Sequence, residues 1–179
     1  ILKKYQGNIN KDIKVITDAN MYLFNKNAYT AFNNIIKNMT DFKNIRITYP
    51  YELSKYELKD LADDINFECE LVLYGRYISM ISANCLVKNS SVCKKSYNDF
   101  IYLQDRLGND FPVFADCKYC QNIMYNSKHL VMLSKLEEVL SIKSDFFRLT
   151  FTDEENEEIG LILNAYSKGL NGDYEYSKL

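Results

Sequence analysis

The sequence predicts an α/β protein whose first part alternates strand and helix, followed by a small β-rich α+β extension. Three observations predict it. Short β-branched or apolar runs begin at Ile13, Ile45 and Leu71, with segments of helical periodicity between them. That order is expected of parallel strands joined by helical crossovers. After Gly75 the alternation stops, and short apolar runs separated by turn residues take over. The boundary between the two parts is placed after residue 84, with residues 85–179 forming the cysteine-containing extension and its C-terminal helix.

Taken in order, Ile13 to Thr17 reads as a strand, with Asp18 and Asn20 at its C-terminal end. Asn27 to Met39 carries Ala28, Ala31, Phe32, Ile35 and Ile36 at helical spacing. Ile45 to Thr48 is the second strand. Ser54 with Glu57 makes a capping box for a helix that buries Leu58, Leu61 and Ile65. Leu71 to Tyr74 is the third strand. Beyond it, Tyr77 to Asn84 is a mixed apolar segment and Lys88 to Asn98 is polar and loop-like. Phe100 to Leu103 and Phe111 to Ala115 flank the turn residues Arg106 to Asn109, so they pair as a hairpin. Asn122 to Tyr125 and Leu130 to Leu133 are further short strand or turn pieces, Leu136 to Leu140 is a short helix, and Phe146 to Phe151 is a strand. Thr152 or Asp153 is expected to cap a last helix, Glu154 to Ser167, whose buried stripe is Ile159, Leu161, Ile162 and Tyr166.

The chain has 179 residues, of which 47% are apolar and 26% charged, a composition that buries a core rather than staying disordered. The net charge is −2 and the basic residues are spread out, so no electrostatic footprint for nucleic acid stands out. No apolar run approaches the ~20 residues needed to span a bilayer, and Ile1 to Lys14 lacks the apolar core of a signal peptide. Five cysteines, an odd number, fit a reducing compartment, so the expected location is the cytoplasm. Three strands are too few to close a barrel, and the chain starts at Ile. The expectation is therefore either a small, open fold or the tail end of a larger one.

Four of the cysteines follow the third strand with the spacing Cys-x7-Cys-x23-Cys-x2-Cys: Cys85, Cys93, Cys117 and Cys120. Iron–sulfur clusters take soft thiolates, usually four, and zinc accepts a similar set. Small buried apolar side chains are the plainer reading of the same residues. Cys69, at the start of the third strand, reads as core. His129 is the single histidine, so any Ser–His–Asp or Cys–His device must use it. Its place between Lys128 and Leu130 reads as a solvated turn.

Several stretches resemble peptidase family U-32, the collagenase-like proteins. They are YGRYISMISANC (Tyr74 to Cys85), DRLGNDFPV (Asp105 to Val113), CQNIMYNS (Cys120 to Ser127) and RLTFTDEENEE (Arg148 to Glu158). ITDANMYLFN (Ile16 to Asn25) and YPYELSKYELKDL, which includes Glu52, fit in the same order. The resemblance covers nearly the whole chain. It departs from the family pattern at Cys93, which stands alone where many members carry two cysteines, at the extra Cys117, and at Tyr74, where many have His.

The resemblance implies that this is the C-terminal half of such a protein: the last three strand-helix units of a TIM-type (β/α) barrel plus the extension. It implies an iron–sulfur cluster (4Fe–4S), with zinc as the alternative metal, on Cys85, Cys93, Cys117 and Cys120. It implies an oxygen-independent hydroxylase acting on RNA or a related substrate, with a peptidase acting on peptides, or a non-catalytic interaction fragment, as alternatives. Arg76 and Tyr74, at the end of the last barrel strand, would face the substrate together with Asp18 and Glu52. For Asp18 and Asn20, turn chemistry is an equal reading. A piece of a barrel exposes strand edges, so self-association is expected.

Overall fold

The structure is a computed structural model that describes residues 14–39, 44–90 and 100–172. In chain order the strands are β1 (Val15–Thr17), β2 (Ile45–Thr48), β3 (Glu68–Gly75), β4 (Ile78–Ser82), β5 (Phe100–Gln104), β6 (Asp110–Asp116), β7 (Gln121–Tyr125), β8 (Leu130–Val131) and β9 (Phe146–Leu149). The α-helices are α1 (Lys26–Met39), α2 (Lys55–Asp64), α3 (Leu86–Ser90), α4 (Leu136–Leu140) and α5 (Asn156–Leu170). Two compact units result. One contains Ile1–Leu73 and Ser134–Arg148; the other contains Tyr74–Leu133 and Leu149–Leu179.

In the first unit β1, β2 and β3 pair in parallel, with Val15 opposite Ile45 and Ile47 opposite Cys69. The strand–helix alternation of the sequence thus becomes a parallel sheet, and β9 pairs with β3. No barrel closes among the described residues. Ser54 caps α2 and Glu57 answers it, so both halves of the capping box form. Ser54 correspondingly holds the Glu57 carboxyl below the usual range. The helix buries Leu58, Leu61 and Ala62, and Ile65 is buried just past its end.

Strand β3 is longer than its apolar run because Glu70 is buried in it without being left unpaired. Its carboxylate meets Arg46 Nη1 at 3.2 Å and Arg148 Nη2 at 2.5 Å, and accepts from the Thr48 hydroxyl at 3.0 Å. Buried carboxylates persist only with such partners. Arg46 also lies over the Phe146 ring, 3.2 Å from its centre.

In the second unit β4, β7, β6 and β5 form an antiparallel sheet in that order. The hairpin of β5 and β6 pairs Phe100 with Phe114 through Gln104 with Asp110. The Asp105 carboxylate organises its turn by accepting from the backbone of Leu107 and Asn109. The Asn109 amide, through its side chain first, holds that carboxyl below its ordinary range. The last two residues of β3 pair antiparallel with β8, Tyr74 opposite Val131 and Gly75 opposite Leu130.

Four sequence expectations need correction. The segment after Lys88 is not all loop, since Leu86–Ser90 is helical; residues 91–99 lie outside the described residues. The strand expected to reach Phe151 ends at Leu149. Neither Thr152 nor Asp153 caps the last helix: the cap is Glu155, and the helix runs Asn156–Leu170. The side chains of Asp153 and Glu154 turn inward to buried partners before the helix begins, which delays its start. Leu161 is 62% exposed, because the buried side of α5 is set by Ala165, Tyr166 and Gly169. A neighbour of Ile162 lies ~100° around the helix from it.

Gly75 has φ of 141°, and a Cβ added there would sit 2.5 Å from the Thr150 carbonyl oxygen. Backbone conformation and space both demand glycine. Gly75→Ala is expected to cost at least about 2 kcal/mol in urea unfolding, or to abolish cooperative folding. A loss under half of that would show that Thr150 moves aside freely.

Candidate functional site

Topology gathers the described cysteines of the second unit. Strand β4 pairs antiparallel with β7, Ser82 opposite Asn122. Cys85 comes three residues after Ser82, and the turn Cys117 to Cys120 leads directly into β7. The Asn122 side-chain amide donates to the Asn84 carbonyl, tying the two segments together. Cys85, Cys117 and Cys120 therefore lie at one end of the four-stranded sheet. Cys85 and Cys117 are half-buried and Cys120 is exposed. Cys120 has φ of 53°, an uncommon left-handed conformation for a residue with a side chain. No disulfide joins Cys117 to Cys120, since Cys120 is a free thiol. Cys93 lies outside the described residues. Cys69 is buried in β3 as core, and burial pushes its thiol up, away from reactivity.

A second constellation forms where β3 ends. Arg76 Nε donates to Asp153 at 2.7 Å, and its Nη1 donates to the carbonyls of Asn126 (2.9 Å) and Ser127 (2.6 Å). The Tyr74 hydroxyl donates to Glu154 at 3.0 Å, and the Thr152 backbone N–H donates to the other oxygen of Glu154 at 2.5 Å. His129 stacks on the Tyr74 ring at 5.2 Å between centres. Its Nε2 stands 2.9 Å from Glu154, yet it is buried and not aligned for a hydrogen bond. The side chains of Asp153 and Glu154 are only 7% and 4% exposed. Burial first, then the Glu154 carboxylate, push the Tyr74 phenol well above its ordinary range.

His129, Asp153 and Glu154 are the one group of three such side chains, among the described residues, whose ligand atoms lie within 4.8 Å of one another. No cysteine belongs to such a group. The Asp153 and Glu154 oxygens are already engaged by Arg76, Tyr74 and the Thr152 backbone, so the arrangement is closer to a satisfied polar network than to an open metal cage.

In the first unit Asp18 stands at the C-terminal end of β1 and caps a single 3-10 turn, accepting from the Asn20 backbone at 3.0 Å. Arg148 reaches it at 3.7 Å while also holding Glu70. Glu52 lies exposed in the turn after β2. Beside it, burial and then Asp18 raise the Tyr51 phenol. Asp18 and Glu52 thus sit at strand ends on the same side of a parallel sheet, as the sequence suggests, and Asp18 also does turn chemistry with Asn20.

No family model, curated protein or solved structure matches the chain.

Sequence reasoning overlooks three participants. His129 reads as a solvated turn, but it stacks on Tyr74 and faces a buried carboxylate. Glu154 reads as part of a solvated helix start. Arg148 reads as an ordinary strand residue, although it bridges two carboxylates. The available signal was that Arg76 and Arg148 leave strands with a carboxylate as their natural partner. Because the folded state holds the Tyr74 phenol above its ordinary range, its contribution to stability is complete below the ordinary tyrosine value of about 10 and is lost as pH rises beyond it. In urea titrations between about pH 9 and pH 11, Tyr74→Phe should lose stability less steeply than the parent. Equal slopes would mean that the Tyr74 phenol titrates alike in the folded and unfolded chain.

Proposed function

We propose that this chain is the cluster-bearing C-terminal part of a cytoplasmic iron–sulfur enzyme of the U-32 type, an oxygen-independent hydroxylase acting on RNA or a related substrate. One observation carries the reading: Cys85 and the Cys117 to Cys120 turn share one end of the four-stranded sheet. Three soft thiolates, separated in sequence but close in topology, suit an iron–sulfur cluster better than they suit packing, since Cys120 is exposed and contributes little to a core. When bound, such a cluster supplies single-electron transfer. The protein's own part is to present the thiolates, with Asn122 and Asn84 fixing the spacing between β4 and β7. Among the described residues no helix is long and apolar enough to cross a membrane.

The peptidase alternative finds weaker support. Among the described residues, the cavity beside His129 is lined by no serine, threonine or cysteine that could act as a nucleophile. The Arg76 donors named above are spent on Asp153 and two carbonyls, so it acts as a positioning residue for the Tyr74 and Glu154 end of the unit.

Anaerobic purification tests the cluster. The expected product is brown, absorbs near ~400 nm and contains iron and sulfide. Cys85→Ser and Cys120→Ser should each lose iron, whereas Cys69→Ser should keep it. A colourless protein after anaerobic reconstitution, or one holding zinc alone, overturns the proposal.

The chain is also proposed to self-associate along β1. That strand ends the paired order in its sheet among the described residues, and its Ile16 is 46% exposed. Light scattering across a concentration series should show a rising mean mass; a constant monomer mass would remove the idea.

A further inference from the structure

A cavity of about 340 Å³ opens beside the His129 and Glu154 pair in the second unit, a volume in the range of small-molecule sites. Its walls are mainly apolar, with Val131, Leu133, Ile162 and Ala165 among them. Its polar lining is of one kind. Glu154 and Glu158 both face it, with His129 and two tyrosines, and among the described residues no lysine or arginine does.

Charge decides what such a cavity can hold. Beside it, Arg76 neutralises Asp153. Glu154 receives hydrogen bonds from Tyr74 and Thr152 and has His129 Nε2 at 2.9 Å, but no arginine reaches it as Arg76 reaches Asp153. Asp153 and Glu154 thus share a single arginine, and Glu158 adds a further carboxylate at the rim. An anion entering here would meet two carboxylates in a poorly solvated space, where repulsion exceeds its value in water. A neutral apolar molecule would satisfy the walls but offer the carboxylates no partner. A cation attached to an apolar body satisfies both the carboxylates and the walls.

We propose that this cavity is a binding site for a small organic cation, an amine or ammonium group on an apolar or aromatic body. The ammonium lies against Glu154 with Glu158 at the entrance, and the body lies along β8 and α5. A metal ion fits less well, because Arg76 already holds Asp153 and would be brought close to a second positive charge.

Ligand-observed NMR on the full chain tests this with three probes of matched size: phenethylamine, phenylethanol and phenylpropionate. The amine should bind in the millimolar range or tighter, at least about fivefold better than the alcohol, with the carboxylate weakest. Glu154→Gln should erase the preference for the amine. Should that variant fail to fold, Glu158→Gln decides the matter: Glu158 is exposed, and a glutamine can still accept from the Glu155 backbone N–H as the cap requires. It should reduce the amine's advantage at least about twofold. Equal affinity for all three probes, no binding up to ~10 mM, or an advantage untouched by the charge-removing variant overturns the proposal. Displacement of the amine by zinc chloride alone would overturn it in favour of a metal site.

Discussion

Two adjacent carboxylates, Asp153 and Glu154, are almost wholly withdrawn from water. Burying an unpaired carboxylate is costly enough that it would neutralise or force the structure open. The second unit is arranged to prevent that. Arg76 supplies a charge-assisted bond to one, while Tyr74 and the Thr152 backbone supply bonds to the other. Because Tyr74 and Arg76 flank Gly75, the requirement for glycine and the requirement for these partners fall on consecutive residues. The start of α5 is then fixed by chemistry that precedes the helix, and the cavity beneath it follows from where that start is placed.

The first unit meets the same difficulty differently. Glu70 sits inside a parallel strand otherwise made of Leu71, Val72 and Leu73, all buried. It is balanced by two arginines from sequence-distant strands, Arg46 on β2 and Arg148 on β9. A paired arginine approaching from each side adds a directional constraint on strand register to the one the apolar pattern already imposes.

Much of the architecture was legible in the sequence. The β-branched runs at Ile45 and Leu71 and the Ser54–Glu57 pair act locally, so they read directly as strands and as a capped helix. The Arg106 to Asn109 turn was equally plain, since its residues favour bending on their own. What escaped was whatever depends on a partner far along the chain. Glu70 fell outside the strand expected at Leu71 to Tyr74 because nothing nearby announces Arg148. Leu161 looked buried because periodicity gives a face but not what covers it. His129 looked solvated because its environment comes from Tyr74 and Glu154, neither of them adjacent. The site residues Asp18, Glu52, Tyr74 and Arg76 were placed at strand ends from local pattern together with the family resemblance, whereas their actual partners were not.

The first unit is discontinuous: Ser134–Arg148 joins it only after the chain has passed through Tyr74–Leu133. During synthesis the opening segment therefore leaves the ribosome without Arg148 and without β9. Glu70 has one of its two arginines missing for as long as the intervening residues take to be made. The early sheet must wait with a charge only half answered, so its completion is timed by the translation of the other unit rather than by its own sequence.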